Sequence, residues 1–174
     1  MKRFAIMAAA ALLAAGCGSN NPSSPSTTQP NTITFTAALN PANEVPPVTN
    51  ADATARGTGT FTLNLTRDGS GTITDATGSF VFTVTGFPAG TQIRAMHVHG
   101  GGPGVAGSPV VDSGLTAANA FTLGDGTGTN LTISNRPVGA TLAQQIIADP
   151  NSFYFNIHSN LNPGGAARAQ LVKQ

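Results

Sequence analysis

The chain has little charge, one cysteine, one tyrosine and no tryptophan. Only 9% of its 174 residues are charged, against about 25% in an average soluble protein, and this excludes a coiled coil or a helical bundle. Eight basic residues balance seven acidic ones, so the chain has no basic surface and we expect no nucleic-acid partner. The length suits one ordinary domain with a short appendage and excludes two large domains.

The first sixteen residues have the pattern of an export signal. Lys2 and Arg3 precede an apolar run over residues 4–15, which is too short to remain as a membrane span. The run ends in Leu13-Ala14-Ala15-Gly16-Cys17 and resembles the lipobox of bacterial lipoproteins. That resemblance implies cleavage after residue 16 and lipidation of Cys17. The alternative is a plain secretory signal with a cysteine beside it by accident.

Residues 17–31 are expected to form the lipidated cysteine and a tether. Gly18 to Asn31 is rich in Ser, Pro, Asn and Thr and contains no large apolar residue, so burial cannot offset the entropy cost of ordering it. A lipidated Cys17 would anchor the protein in a membrane through its acyl chains. We therefore expect an exported protein of the bacterial cell envelope, facing the periplasm or the cell surface, with its folded domain over residues 32–174.

From Thr32 onward, apolar and polar residues alternate with a period of two. Ile33, Phe35 and Ala37 share one face of a segment, and Phe61, Leu63 and Leu65 share one face of another, as strands with one buried face do. The remaining expected strands are 78–86, 93–99, 121–123, 131–134, 153–159 and 166–172. Glycine and proline separate nearly all of them, and residues 68–71 form a turn. The pattern predicts an all-β fold, an antiparallel Greek-key β-sandwich or barrel.

One short helix is expected before the last two strands. Thr141 to Gln144 has the spacing of a capping box, Leu142 and Ile146 lie four residues apart, and Asp149-Pro150 ends the segment. Residues 160–165 form a turn between the final strands.

The three histidines of the chain are the candidate site. His97 and His99 project from the same face of a predicted strand, since side chains alternate along a strand. In the segment 153–158, Tyr154, Asn156 and His158 lie opposite the core face, so we expect His158 to point outward as well. If the two strands are neighbours, the three imidazoles suit Cu(II) or Zn(II), with an open position for water. The alternative is that the histidines are only polar surface groups.

Enzymes with a serine or a phosphate-binding loop are disfavoured. The chain has no G-x-S-x-G motif around its serines. The glycine-rich run 100–104 is not followed by the helix and lysine of a phosphate site. It is expected to be a flexible loop beside the histidine strand.

Three motifs together resemble the chordin-type (CHRD) domain. They are Asn43-Glu44-Val45-Pro46-Pro47-Val48, Met96-His97-Val98-His99-Gly100, and residues 153–159 followed by 162–171. Their order and spacing match across residues 35–171. Where the family pattern usually reads Gly-Glu-Ile-Arg-Gly-Gln-Leu, this chain has Gly165-Ala166-Ala167-Arg168-Ala169-Gln170-Leu171, which removes an acidic partner for Arg168. Such domains in animal chordin belong to an extracellular antagonist of growth factors, but a shared fold does not imply a shared ligand.

A fainter likeness is to copper-zinc superoxide dismutase. The order of residues 86–90, His97-Val98-His99 and His158 is similar to that of three copper ligands of that enzyme, and Arg168 resembles its substrate-guiding arginine. Its bridging histidine, zinc loop and disulfide cysteines have no counterparts here.

These patterns favour a membrane-anchored binding domain rather than an enzyme. It would present the histidine face and the loop 100–107 to an extracytoplasmic ligand, to copper or to zinc, with Tyr154, Asn156 and Arg168 as contacts around the metal or to the ligand. Two alternatives remain open: a copper-dependent oxidoreductase resembling superoxide dismutase, and a purely structural envelope module.

Overall fold

A computed structural model describes residues 29–174. The expected export signal over residues 1–16, Cys17 and the tether up to residue 28 lie outside the described residues. The described part is built from ten strands and one α-helix. In chain order they are β1 (Thr32–Leu39), β2 (Arg56–Arg67), β3 (Ile73–Thr85), β4 (Thr91–Gly100), β5 (Pro109–Asp112), β6 (Phe121–Leu123), β7 (Gly128–Pro137), α1 (Ala140–Ala148), β8 (Phe153–Ser159), β9 (Ala167–Gln170) and β10 (Val172–Lys173).

The strands form two five-stranded antiparallel sheets, which confirms the all-β sandwich. The first sheet has the order β10-β1-β2-β3-β7, and the second has the order β5-β4-β8-β9, with β6 also paired to β4. The chain leaves the first sheet after β3, returns to it for β7, and passes again into the second sheet at β8. Neighbours in space are therefore often distant in sequence, as in β3 with β7 and β4 with β8.

The core lies between the two sheets and is rich in phenylalanine. On β2, Phe61, Leu63 and Leu65 are buried while Thr62 and Asn64 between them lie on the outer side, as the period of two predicts. Phe61 contacts Phe80 with ring centroids 5.1 Å apart, and Phe80 contacts Phe155 of the second sheet at 5.6 Å. This chain of edge and tilted contacts joins the sheets in the geometry that aromatic pairs prefer.

Three local predictions were wrong. The helix begins at Ala140 after Gly139, whose φ is 78° and which offers no side-chain cap, so Thr141 lies inside the helix and caps nothing. The strand Pro109–Asp112 was missed, because a four-residue edge strand with Pro at its start is too short for periodicity to reveal.

The segment 166–172, predicted as one strand, is two. Leu171 is buried and its N–H donates to the Phe153 carbonyl, after which the chain crosses to the edge of the first sheet as β10. Within residues 29–174, no helix has the length and hydrophobicity that a membrane crossing requires.

Candidate functional site

Strands β4 and β8 place the three histidines side by side. The two strands pair antiparallel, with Ala95 opposite His158, His97 opposite Asn156, and His99 opposite Tyr154. Residues opposite each other, or offset by two, lie on the same face of a sheet and within reach of large side chains. This confirms the prediction that the two strands are neighbours and that the imidazoles share one face.

This face is buried, which differs from the outward position expected for His158. The exposed fraction is 6% for His99, 7% for His158 and 2% for each of Tyr154, Asn156 and Arg168. Periodicity identified the side opposite the phenylalanine core correctly, but it could not show that loops cover that side. The outer face of the second sheet is a buried polar layer, and each of its groups needs a partner.

Two loops supply main-chain carbonyls to two of the rings. His99 Nδ1 lies 2.9 Å from the Gly107 carbonyl oxygen, and His158 Nδ1 lies 3.0 Å from the Pro163 carbonyl oxygen. The Tyr154 hydroxyl contacts the Gly107 N–H at 3.1 Å. The glycine-rich segment after β4 is therefore fixed over the histidine face by hydrogen bonds, instead of being the free loop expected from its composition.

The facing ring nitrogens of the histidines are close together. His97 Nδ1 and His158 Nε2 are 3.0 Å apart, and one ring nitrogen from each of the three residues lies within 4.8 Å of the others. The ring centroids of His97 and His99 are 5.3 Å apart, and those of His97 and His158 are 4.8 Å apart. His99 Nε2 is buried and has no hydrogen-bond partner.

The groups bound on the outer side of each ring, away from the other two histidines, determine which nitrogens carry hydrogen. A carbonyl oxygen can only accept, so Nδ1 of His99 and Nδ1 of His158 carry the N–H groups. In the neutral rings the remaining Nε2 atoms then hold lone pairs. His97 Nε2 lies 3.4 Å from Asp112 Oδ1, a carboxylate that also accepts. In the tautomer whose Nε2–H is directed to Asp112, Nδ1 of His97 carries a third lone pair that points into the cluster.

Burial favours the neutral form of all three imidazoles. It lowers the pKa of His97 and of His99, and it lowers the pKa of His158 to about 4, with the neighbouring His97 adding to the effect. Loss of hydration penalises the charged form of a histidine. At neutral pH the rings are therefore uncharged, which is the form that binds metal ions.

Arg168 lies beside this cluster and has partners that the sequence comparison did not identify. Its Nε donates to the Asn43 carbonyl at 2.6 Å and its Nη1 to the Val105 carbonyl at 2.9 Å. The guanidinium carbon lies 4.3 Å from the ring centroid of Tyr154, a cation–π contact. One side chain of β9 thus contacts both the loop around Asn43 and the loop around Val105.

Glu44 is the acidic residue near Arg168. It is 6% exposed, and burial raises its pKa to about 7, an effect that Arg168 and Asn156 oppose. Among the described residues the only contact within 4.0 Å between a basic and an acidic side chain is that of the neutral His97 ring with Asp112, so Glu44 and Arg168 interact at longer range. A groove of about 410 Å³ is lined by both residues and by Val45, Pro47 and Pro103.

Two site residues were missed from the sequence. Asp112 lies on the unpredicted strand β5, opposite His97 in register, and the pair could have been suspected only if β5 had been recognised. Glu44 was noted as part of a motif but not as a neighbour of the site, because it approaches Asn156 from a loop more than a hundred residues away.

The fold and the site together define an all-β sandwich with three neutral histidines gathered under loops on one sheet. The family model described as the CHRD domain matches residues 35–171, and the chain belongs to the CHRD domain family. Searches of curated proteins and of solved structures found no match. The likeness to superoxide dismutase stays a prediction from the order of the histidines.

Proposed function

We propose that this protein is a metal-binding CHRD domain of the bacterial cell envelope that holds one Cu(II) or Zn(II) ion through His97, His99 and His158. One observation carries the proposal: a ring nitrogen from each of the three histidines lies within 4.8 Å of the other two. The Nδ1 atoms of His99 and His158 are directed to the carbonyls of Gly107 and Pro163, which leaves their Nε2 lone pairs inside the cluster. A cation bound between the rings would be held by these two nitrogens and by Nδ1 of His97, once its N–H is directed to Asp112.

The donor set fits these two metals. Imidazole nitrogen suits both Zn(II) and Cu(II). Bonds of about 2.0 to 2.1 Å in a tetrahedral arrangement place ligand nitrogens roughly 3 to 4 Å apart. The observed separations range from 3.0 Å for one pair up to 4.8 Å, so closure around an ion requires only small ring movements. Three protein ligands leave a coordination position for water or another ligand.

The function favoured is binding rather than turnover. Asp112 is the only carboxylate that contacts a histidine of the cluster in the described residues, and it lies at an outer nitrogen, away from the inward lone pairs. A buried Glu44 and Arg168 line the neighbouring groove, which gives a ligand of the domain a second polar surface. Export and attachment through lipidated Cys17 belong to the same proposal and are supported by the pattern of residues 2–17 alone.

Calorimetric titration of the purified protein with zinc chloride and with copper sulfate tests the metal site. We expect saturation at about one ion per chain and loss of that binding in the double variant His97→Ala, His158→Ala. The control is Asp75→Asn with Asp125→Asn, which removes two exposed carboxylates outside the site. Absence of saturable uptake, or equal uptake by the histidine variant, would contradict the proposal.

The copper-loaded protein then separates binding from redox turnover. We expect no superoxide dismutation above that of the double histidine variant. A rate that depends on copper and is lost in that variant would instead establish the oxidoreductase alternative. Labelling with a radioactive fatty acid, compared between the natural chain and Cys17→Ser, tests the anchor.

A further inference from the structure

The three histidines differ in what holds their outer nitrogens. His99 and His158 bind main-chain carbonyls of Gly107 and Pro163. His97 instead faces a side chain, the carboxylate of Asp112, at 3.4 Å. The side chain of His97 is 17% exposed and that of Asp112 is 64% exposed. One corner of the cluster therefore reaches solvent, and the group beside its outer nitrogen is a side chain rather than the backbone.

Asp112 is itself oriented by the surrounding structure. Its Oδ1 accepts the N–H of Gly114 at 2.7 Å, and its main-chain carbonyl accepts from Arg136 Nε at 2.9 Å. Strand β5 pairs with β4 so that Asp112 lies opposite His97. These contacts aim the carboxylate at the His97 ring although the residue is exposed.

The other two rings have no comparable freedom. His99 is stacked on Tyr154, with centroids 4.8 Å apart and planes 14° from parallel. His158 is 7% exposed and lies beside the loop that carries Pro163. A metal ion leaves a site by losing one ligand first, and His97 is the ligand with the most solvent contact.

We propose that Asp112 is a positioning residue that sets the rate of metal exchange by holding His97, the ligand that detaches first. This inference rests on the proposed metal function and concerns how the same site is regulated. A carboxylate that accepts from a metal-binding imidazole fixes the ring and its tautomer and raises its basicity. Loss of such partners typically costs 10- to 100-fold in affinity. Because Asp112 acts through His97, the most exposed of the three rings, we expect the lower affinity to appear as a faster dissociation rate.

The experiment measures transfer of zinc from the protein to a chelator. Protein preloaded with one equivalent of zinc is mixed in a stopped-flow instrument with an excess of a chromogenic chelator. We expect Asp112→Ala to release zinc about 10- to 100-fold faster than the natural chain. Asp112→Asn should fall between the two, since the amide oxygen still accepts but carries no charge.

Asp125→Ala is the matched control. Like Asp112, Asp125 accepts through Oδ1 from the N–H two residues ahead, that of Thr127 at 2.9 Å, but it contacts no histidine. Its release rate should equal that of the natural chain. A structural effect of removing an aspartate turn would accelerate release in both variants.

The outcomes separate this inference from the function on which it rests. If the natural chain takes up one zinc and Asp112→Ala releases it within twofold of the natural rate, the inference is wrong and the metal site stands. Equal acceleration in Asp125→Ala also overturns it. Should Asp112→Ala fail to fold by circular dichroism, Asp112→Asn decides by the same twofold limit. If the natural chain takes up copper but no zinc, the same comparison is made with copper, and a natural chain that takes up neither metal overturns both.

Discussion

The guanidinium of Arg168 lies over the ring of Tyr154, and the same ring is stacked on His99. The three side chains come from β9, β8 and β4, so a continuous stack crosses three strands of the second sheet. Through its other hydrogen bonds, Arg168 also joins this stack to the loops around Asn43 and Val105.

Replacement of Arg168 by lysine should destabilise the fold. Lysine has no planar fork, so it cannot bind both carbonyls and stack on Tyr154 at once. We expect Arg168→Lys to lower the free energy of unfolding by about 2 to 4 kcal/mol, since each charged hydrogen bond contributes roughly 1.5 to 3 kcal/mol. Urea denaturation measures this. Arg94→Lys, at an exposed arginine bonded to Gln92, should change stability by less than about 0.5 kcal/mol.

Gly107 should not tolerate a side chain. A Cβ at this position would overlap the carbonyl oxygen of Gly100, so Gly107→Ala must displace the loop and with it the partners of His99 and Tyr154. We expect lower thermal stability and weaker zinc binding in calorimetry. Gly102→Ala, in the same loop but with open space around the new methyl group, should match the natural chain. Equal behaviour of the two variants would show that the loop does not fix the histidines.

Glu44 should make the protein less stable as pH rises. Its pKa is raised by burial to about 7 in the folded state, from 4.5, so folding favours the protonated form. The stabilisation is complete below pH 4.5 and is lost as pH rises toward and past 7, at about 1.4 kcal/mol per unit of pKa difference. Glu44→Gln lacks this loss, and its stability relative to the natural chain should increase from pH 5 to pH 8. Denaturation at several pH values measures the difference.

Asp75→Asn is the control for that series, since its carboxylate is exposed. It is measured in parallel over the same range, so that the effect of the buried Glu44 is separated from the loss of any one carboxylate. A flat difference for Glu44→Gln would mean that folding does not raise the pKa of this carboxyl.

His158 should have the opposite effect at acid pH. Burial, followed by the effect of His97, lowers its pKa from 6.5 to about 4, so the folded state excludes a proton that the unfolded chain binds. This stabilisation is complete above pH 6.5 and is lost as pH falls toward 4. We expect His158→Gln to show a shallower loss of stability than the natural chain between pH 6.5 and 4, in metal-free buffer. Parallel curves would contradict the buried, neutral state of the ring.

Much of the fold could be predicted from the period of two. The buried sides of β1, β2 and β3 follow the alternation of large apolar residues with mostly polar ones, because burial of one sheet face imposes that pattern. Strand β5 could not be predicted, since four residues carry too little periodic signal and its pairing depends on β4. The helix start was misplaced because the chain turns into the helix at Gly139, just after β7 ends at Pro137, whereas the capping box at Thr141 is only a local pattern.

The candidate site was partly predictable for a similar reason. His97-Val98-His99 fixes two rings on one face by strand geometry alone. The approach of His158 depends on the antiparallel register of β4 and β8, which the sequence does not state. The burial of the site depends on loops that contribute carbonyl oxygens, and a carbonyl has no signature in the sequence because every residue has one.

That dependence on main-chain atoms has a consequence for how related proteins should be compared. The groups that orient His99, His158 and Arg168 are carbonyls of Gly107, Pro163, Asn43 and Val105. Most side chains in those loops can drift during evolution while the cage around the rings stays intact, provided that the chain follows the same path. Homologues with the same chemistry are therefore better recognised by the positions of the histidines on two paired strands than by overall loop identity.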